Sequence, residues 1–299
     1  MSARALVTGA TGFIGAHLVR RLGLLGAEVH AVSRRPRTPD GDEIWHIADL
    51  GDIASTARLL RATRPDVVYH LASEVTGARD VRVVLPTMRG NLMSVVNLLT
   101  AVTETPGTRL VLAGSIEEPK PGDGQTSPSS PYAVAKWAAT GYASFFHRLY
   151  GTPVTVLRVA MVYGPGQPAV GRLVPYVIRC LLRGEEPSLS GGDRLLDWVY
   201  VDDVVDAFVA AGENAAACGR VLDIASGTRV SIRDTVELLL GIVGGEARPR
   251  YGAVADRPLD APQIADPAAA AEVLGWRPAT ELADGLRRTV DWYAGPDGG

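Results

Sequence analysis

The stretch ALVTGATGFIGAHLVRRL, residues 5–22, decides the fold of this chain. A short apolar run leads into Gly9, Gly12 and Gly15, and a helix-forming segment follows at once. Glycines are needed where a turn is tight and the backbone must approach a pyrophosphate, which then lies at the positive end of the helix. The spacing is G-x-x-G-x-x-G rather than the commoner G-x-G-x-x-G. Its position after a strand and before a helix predicts a dinucleotide-binding loop.

The wider pattern of apolar runs predicts an α/β protein. Runs that are apolar on both faces alternate with segments long enough for crossover helices, which is typical of a parallel sheet covered by helices on both sides. We predict a Rossmann-type doubly wound parallel sheet over residues 1–165. A smaller C-terminal substrate-binding lobe over residues 166–299 is expected to be interleaved with it. The predicted strands are 5–8, 28–33, 43–47, 67–71, 109–113 and 154–159.

Composition narrows the classes of function. A chain of 299 residues that is 46% apolar can bury a large core. Its net charge of -3 gives no basic excess, so we expect no nucleic-acid partner. The two cysteines, Cys180 and Cys218, have neither disulfide nor metal-site spacing, and we expect no metal. Without a cationic leader or an 18-residue apolar run, the protein is expected to be soluble and cytoplasmic, with no membrane partner.

The end of the second predicted strand bears on the choice of dinucleotide. An acidic residue there would hold the ribose 2'-hydroxyl of NAD, whereas this chain has Ser33, Arg34 and Arg35. Two cations and a hydroxyl suit a 2'-phosphate. NADP(H) is therefore favoured, and NAD is the alternative cofactor. A solvent-exposed loop that binds no phosphate is the other interpretation of these residues. Asp49 and Leu50 follow the third strand, where the adenine amino group could be met.

The segment SPYAVAKWAA, residues 130–139, carries the strongest chemical signal. Tyr132 and Lys136 are four residues apart, so on a helix they share one face. An ammonium group beside the phenol favours the phenolate, which makes the tyrosine a good proton relay to a carbonyl or alcohol oxygen. With the dinucleotide loop and Ser115 at a strand end, the pair forms a catalytic constellation.

Together these motifs resemble the extended short-chain dehydrogenase/reductases, the family of NAD-dependent nucleotide-sugar epimerases, dehydratases and reductases. The motifs follow the family's order from residue 5 to about residue 278. They are TGATGFIG, DL at 49, YHLAS at 69, Asn91, GSIEE at 114, YAVAK at 132, LRVAMVYGPGQ at 157, DWVYVDDVVDA at 197 and ADPAAAAEVLGWRP at 265. The resemblance implies a catalytic triad of Ser115, Tyr132 and Lys136. It implies cofactor contacts from Gly9, Thr11, Gly12, Phe13, Ile14, Gly15, Leu71, Ala72 and Ser73.

The phrase after Ser115 bears on the reaction. In the family's 4,6-dehydratases an acidic pair or a Ser-Glu pair follows the strand-end hydroxyl, but here Ile116 cannot transfer a proton. Glu117 would face the same side as Ser115 if the chain stays extended. The phrase most resembles reductases of nucleotide-linked 4-keto-6-deoxy sugars, so we predict an NADPH-dependent ketoreductase with such a sugar as its partner. An epimerase with retained NAD and a 4,6-dehydratase are the alternatives. A dinucleotide-sensing protein without catalysis is a further class, which typically lacks the Tyr and Lys.

Departures from the family pattern concern the substrate. Met161 and Leu196 replace family residues that commonly grip the diphosphate, and the usual VYG is replaced by residues 118–120, which predicts an altered wall around the sugar. Arg257 matches another diphosphate contact, and Arg172 or Arg194 is the candidate to replace the lost ones. A reductase of a non-nucleotide keto substrate is therefore also an alternative.

The resemblance also implies a homodimer. The family pairs through two long helices, here about residues 85–104 and 131–149. The residues predicted for that face, with a sheet-facing position as the alternative, are Val95, Leu98, Leu99, Ala138, Tyr142 and Phe145.

Overall fold

The computed structural model describes residues 3–120, 128–168, 171–255 and 265–296. The chain divides into two compact units. The first unit is Met1–Val159, Val205–Ile224 and Ala268–Trp276. The second unit is Ala160–Val204, Ala225–Pro267 and Arg277–Gly299. The chain thus enters the second unit at residue 160 and returns twice to the first.

Strands and helices alternate through most of the described residues. The strands in chain order are β1 (Arg4–Thr8), β2 (Glu28–Ser33), β3 (Ile44–Ile47), β4 (Val67–His70), β5 (Arg109–Ser115), β6 (Val154–Val159), β7 (Met161–Tyr163), β8 (Leu195–Tyr200), β9 (Val221–Ile224) and β10 (Arg229–Ser231). The α-helices are α1 (Phe13–Leu24), α2 (Ile53–Thr63), α3 (Val84–Thr87), α4 (Ser94–Thr103), α5 (Pro131–Tyr150), α6 (Leu173–Leu182), α7 (Val201–Glu213), α8 (Ile232–Val243), α9 (Ala268–Leu274) and α10 (Leu282–Ala294). Within the described part of the chain, no helix is both long and apolar enough to cross a membrane.

The first unit is built on a seven-stranded parallel sheet. Its strand order is β3-β2-β1-β4-β5-β6-β9, and the paired strands all run parallel. The predicted doubly wound α/β fold is confirmed, and all six predicted strands are present within two residues at each end. Chain order reverses on either side of β1, so its carboxyl end borders the crevice where such sheets bind ligands.

Apolar side chains of the strands and of α2, α4 and α5 form the core of the first unit. Burying these groups is the main favourable contribution to folding. Members of this core that are 0–4% exposed are Leu6, Val32, Leu60, Val68, Val95, Leu98, Leu99, Ala101, Val102, Leu110, Leu112, Ala143, Val154 and Val156.

The helix predicted over residues 85–104 has an interruption. A π-helical stretch, Met88–Met93, separates α3 from α4. Val95, Leu98 and Leu99 of α4 are buried in the core, so their predicted place on a dimer face is wrong. The sheet-facing alternative is the correct one, because a helix over a parallel sheet turns its most apolar stripe inward.

The second unit holds a small mixed sheet in the order β10-β8-β7. β7 and β8 are parallel, and β8 and β10 are antiparallel. Trp198 on β8 is buried and donates from Nε1 to Thr235 Oγ1 at 3.0 Å. Asp197, also buried, accepts the backbone N–H groups of Ser226 and Gly227 at 2.7 and 2.8 Å. These contacts tie α8 and the turn after β9 to β8.

Candidate active site

The glycine loop lies between β1 and α1, as predicted. Gly9 has φ +70, and a Cβ there would lie 2.5 Å from the backbone nitrogen of Ala72, while a Cβ on Gly15 would collide with the carbonyl oxygen of Gly9. Gly12 caps α1 without a side-chain hydrogen bond, and the first turn of α1 has no acidic residue. Unoccupied helix N–H groups without local negative charge attract a phosphate. The loop therefore fits a dinucleotide pyrophosphate.

The other predicted members of this loop also lie at its mouth. Thr11 and Gly12 are exposed, and Phe13 and Ile14 are half-buried. Leu71 and Ala72 follow β4 and lie against Gly9.

Buried polar groups hold the β4 end in place. Thr8 Oγ1 lies 2.7 Å from His70 Nδ1 and accepts the Ala72 N–H at 3.3 Å. Burial lowers the pKa of His70 to about 3, so this imidazole is neutral. Ser73 donates to the buried Asn91 at 3.0 Å. The π-helical stretch thus supplies the residue that holds Ser73.

The end of β2 carries the predicted cations in exposed positions. Arg34 and Arg35 are exposed, and the Ser33 hydroxyl donates to the carbonyl oxygen of Arg35. Asp49 accepts from the Gly51 N–H at 2.9 Å and from Arg89 Nη2 at 2.7 Å. The Gly51 hydrogen bond, together with the charges of Arg89 and Arg34, lowers the pKa of Asp49.

Arg89 is thus a further cation beside Asp49, in addition to the predicted Arg34 and Arg35. Arg89 is separated from Asp49 by 40 residues, and no sequence motif marked it. Leu50 is buried, and its carbonyl oxygen accepts from Asn97 at 2.8 Å.

The predicted catalytic residues gather at the end of β5. Helix α5 begins after Ser130, whose side chain accepts the Ala133 N–H, and Pro131 occupies its first turn. Lys136 is 4% exposed and donates from Nζ to the carbonyl oxygen of Ala113 at 2.7 Å. Its Nζ lies 5.8 Å from the centroid of the Tyr132 ring. Burial lowers the pKa of Lys136 to about 8, and the negative charge of Glu118 opposes this shift.

The chain turns directly after Ser115. Ser115 is buried, and its Oγ accepts the Glu117 N–H at 3.2 Å. The Glu118 N–H donates to the carbonyl oxygen of Ser115 at 3.1 Å. Residues 116–118 are therefore not extended, and the expectation that Glu117 follows Ser115 by strand alternation is wrong, because this hydrogen bond closes a turn.

Residues 118–120 take part in a buried charged network. Glu118 is 2% exposed. Lys120 is paired with the buried Asp223 of β9, to which Arg158 of β6 also donates at 2.8 Å. No sequence pattern predicted that Arg158 and Asp223 would pair, because they lie on strands 65 residues apart in the chain. Glu118 is therefore turned inward, and the altered wall around the sugar stays a prediction.

Two arginines predicted to bind the diphosphate, Arg172 and Arg194, belong to the second unit. Arg172 is half-buried and immediately precedes α6. Arg194 is half-buried, and its carbonyl oxygen accepts the Ile232 N–H at 3.0 Å. Arg257 lies outside the described residues. Leu196, at the position where an Arg would grip a diphosphate, is buried in β8.

The sheet order, the glycine loop and the Tyr–Lys helix define a Rossmann-fold oxidoreductase of the short-chain dehydrogenase/reductase class. The chain belongs to the NAD dependent epimerase/dehydratase family, whose model matches residues 5–225.

Individual relatives cover nearly the whole chain. It is 32% identical to a UDP-glucose 4-epimerase of Mycolicibacterium smegmatis, with 97% of this chain and 98% of that protein covered. It is 32% identical to a dTDP-glucose 4,6-dehydratase of Streptomyces antibioticus, with 96% and 91% covered. Such relatives support an epimerase or dehydratase better than the predicted ketoreductase.

Solved structures extend the comparison. A UDP-glucose 4-epimerase of Thermotoga maritima, solved with UDP-glucose, has a TM-score of 0.88 and 31% identity, with 97% of this chain and 98% of that one covered. The UDP-glucose 4-epimerase of Thermus thermophilus, solved with NAD, has a TM-score of 0.83 and 28% identity, with 98% and 99% covered.

We expect Gly9→Ala to weaken dinucleotide binding at least about tenfold, equivalent to about 1.4 kcal/mol. The added Cβ must displace the backbone of Leu71 and Ala72. Fluorescence titration with NADH and NADPH measures the effect. Gly26→Ala is the matched control, because Gly26 has φ +77 but open space around it. Equal weakening in both variants would mean that general backbone strain, not this contact, is responsible.

Proposed function

We propose that this chain is a nucleotide-sugar 4-epimerase, which removes hydride from C4 of the sugar and returns it without releasing water. The observation that carries the proposal is the end of β5. There Lys136 donates to the carbonyl oxygen of Ala113, two residues before Ser115, and the residue after Ser115 is the buried Ile116. The UDP-glucose 4-epimerases among its relatives support the same reaction.

Three side chains are assigned the proton chemistry. Tyr132 takes the proton from the C4 hydroxyl and returns it to the oxygen when the carbon is reduced. Ser115 donates a hydrogen bond to that oxygen, and Lys136 favours the phenolate through its positive charge. A nicotinamide dinucleotide bound there would supply the hydride chemistry. The predicted loop residues and Leu71–Ser73 would hold the dinucleotide.

A 4,6-dehydratase is disfavoured by the same site. Elimination across C5 and C6 needs one group to take the C5 proton and another to protonate the departing hydroxyl. Ile116 removes one of these groups, which leaves Glu117. Glu117 is then assigned to orienting the substrate through a hydrogen bond, worth about 1 kcal/mol.

An NADPH-dependent ketoreductase of a 4-keto-6-deoxy sugar is the second candidate. It is favoured by Arg34 and Arg35, which stand where an acid would select NAD. A net reductase draws on cellular NADPH, whereas an epimerase reuses one retained cofactor. The NAD complex of the Thermus relative supports NAD instead.

Three arginines are assigned to the nucleotide diphosphate. Arg172, Arg194 and Arg257 are the proposed contacts, since guanidinium groups match phosphate geometry. The buried Leu196 removes one common grip, so a non-nucleotide keto substrate is an outcome that the assay must include. A cytoplasmic location also stays a prediction.

We expect Tyr132→Phe to lower turnover by about 10² to 10⁴, as loss of a proton-transfer group does. The assay mixes the protein with UDP- and dTDP-linked glucose and follows the C4 epimer by NMR. Tyr150→Phe, exposed on the same helix, is the control.

A parallel assay gives a 4-keto-6-deoxyhexose nucleotide and NADPH, and follows nicotinamide absorbance. Cofactor consumption without epimer would select the reductase. Formation of a 4-keto-6-deoxy product from the unreduced hexose, lost in Glu117→Gln, would select the dehydratase.

We expect the double change Arg34→Ala, Arg35→Ala to raise the dissociation constant for NADPH at least about tenfold and to change that for NADH little. Each charge-assisted contact to a 2'-phosphate contributes about 1.5–3 kcal/mol. Arg58→Ala, exposed on α2, controls for net charge. Small, equal effects on both dinucleotides would reject a 2'-phosphate site at the end of β2.

We also propose a homodimer that pairs through α3, the π-helical stretch and α5. Exposed apolar residues there are Leu85, Met88, Trp137, Tyr142 and Phe145. Light scattering is expected to give about twice 31.6 kDa. The double change Trp137→Asp, Phe145→Asp is expected to give the single mass, because charge is costly in a buried interface. Leu24→Asp, on an exposed part of α1, is the control. A single mass for the unchanged protein would reject the dimer.

A further inference from the structure

Glu118 is held beneath the end of β5 by hydrogen bonds in both directions. Its carboxylate Oε1 accepts the Ser115 N–H at 2.7 Å, and its own N–H donates to the Ser115 carbonyl oxygen at 3.1 Å. The side chain is 2% exposed. The turn therefore fixes both peptide groups of Ser115 through one residue.

Gly114 provides the space that Glu118 occupies. A Cβ on Gly114 would lie 2.8 Å from Glu118 Oε1 and 3.1 Å from Arg158 Cγ. Any larger residue at 114 would push the carboxylate away from the strand. The glycine and the glutamate thus form one arrangement.

The Glu118 carboxylate is influenced by the positive charges of Lys136 and Arg158. Burial raises the pKa of Glu118, while the Ser115 hydrogen bond and the charges of Lys136 and Arg158 oppose that effect. Arg158 is in turn paired with the buried Asp223, which also binds Lys120.

Removal of Glu118 would take a negative charge away from the buried positive charges around it. Without Glu118, Lys136 would lose a negative charge that favours its ammonium form, while Asp223 is engaged by Lys120 and Arg158. Removing one partner from a buried ionic group is costly because it leaves an uncompensated charge. Lys136 would be affected, since the groups on its other sides are the Tyr132 ring and the neutral His70.

We propose that Glu118 is a positioning residue, whose buried carboxylate holds the turn that presents Ser115 and balances the buried charge of Lys136. The consequence for turnover rests on the proposed catalytic function. The electrostatic effect on Lys136 does not, and it can be measured separately.

The chain contains two lysines, Lys120 and Lys136, which makes the measurement direct. Protein labelled with ¹³C and ¹⁵N in lysine is titrated by NMR, and Lys120→Arg assigns the two side-chain signals. Glu118→Gln keeps an oxygen for the Ser115 N–H but removes the charge. We expect the Lys136 midpoint to fall by about one pH unit or more.

Asp203→Asn is the matched control for this measurement. Asp203 is a buried carboxylate of the second unit that accepts the Thr280 N–H at 3.0 Å. Both lysine midpoints are expected to keep their values in this variant. An unchanged Lys136 midpoint in Glu118→Gln would overturn the proposal.

Activity supplies the second measurement. Because Lys136 must be protonated to favour the phenolate, a lower midpoint moves the alkaline limb of the kcat profile to lower pH. Glu118→Gln is therefore expected to show this shift with kcat retained below the limb. Glu118→Ala, which also loses the acceptor, is expected to lower kcat at every pH and to leave the dinucleotide KM unchanged. Equal pH profiles for all variants would overturn the positioning role.

Two further outcomes are distinguishable. A shifted Lys136 midpoint in a protein without Tyr132-dependent activity would reject the proposed function and support the charge balance. If Glu118→Gln does not fold, Gly114→Ala displaces the same carboxylate while keeping it, and a fall of the Lys136 midpoint is again expected. No fall in a folded Gly114→Ala protein would then overturn the proposal.

Discussion

A buried ammonium group is the constraint on which this active site depends. Lys136 must be charged to influence Tyr132, yet it is 4% exposed and shielded from water. Desolvation favours the neutral amine. The chain counters this with a backbone carbonyl at 2.7 Å and with the negative charge of Glu118. The charge of Lys136 therefore depends on groups outside the predicted catalytic triad.

The parallel sheet brings these groups together. Strands β4, β5, β6 and β9 are neighbours, so His70, Ser115, Arg158 and Asp223 come from adjacent strands although they are far apart in sequence. The carboxyl ends of such strands are where open α/β sheets bind ligands. The predicted catalytic residues and the buried charges around them thus lie at the carboxyl ends of the same strands.

The residues that bear on the choice between NAD and NADP(H) lie at the carboxyl ends of β2 and β3. The end of β2 presents Arg34 and Arg35, while Asp49 is already occupied by Gly51 and Arg89. This local chemistry favours NADP(H), whereas the family likeness favours NAD. The two cofactors correspond to the two candidate reactions.

The sequence by itself determined the architecture and the main chemical groups. Periodicity and glycine spacing act over a few residues. Six of the seven strands of the large sheet, the loop at Gly9 and the i, i+4 pair of Tyr132 and Lys136 could therefore be predicted. The short strand β9 was not predicted, because four residues, one of them Asp223, give little periodic signal.

Only the tertiary structure decided which face a helix buries and which charges meet. Val95, Leu98 and Leu99 could have met a partner or the sheet, and their burial settles the choice. The sequence placed Glu118 in a segment predicted to alter the wall around the sugar. In the structure its carboxylate turns inward and accepts a hydrogen bond from the end of β5. Arg89, Arg158 and Asp223 are brought to the site by contacts across 40 to 65 residues. Such contacts arise from strand order and packing, which a local pattern does not encode.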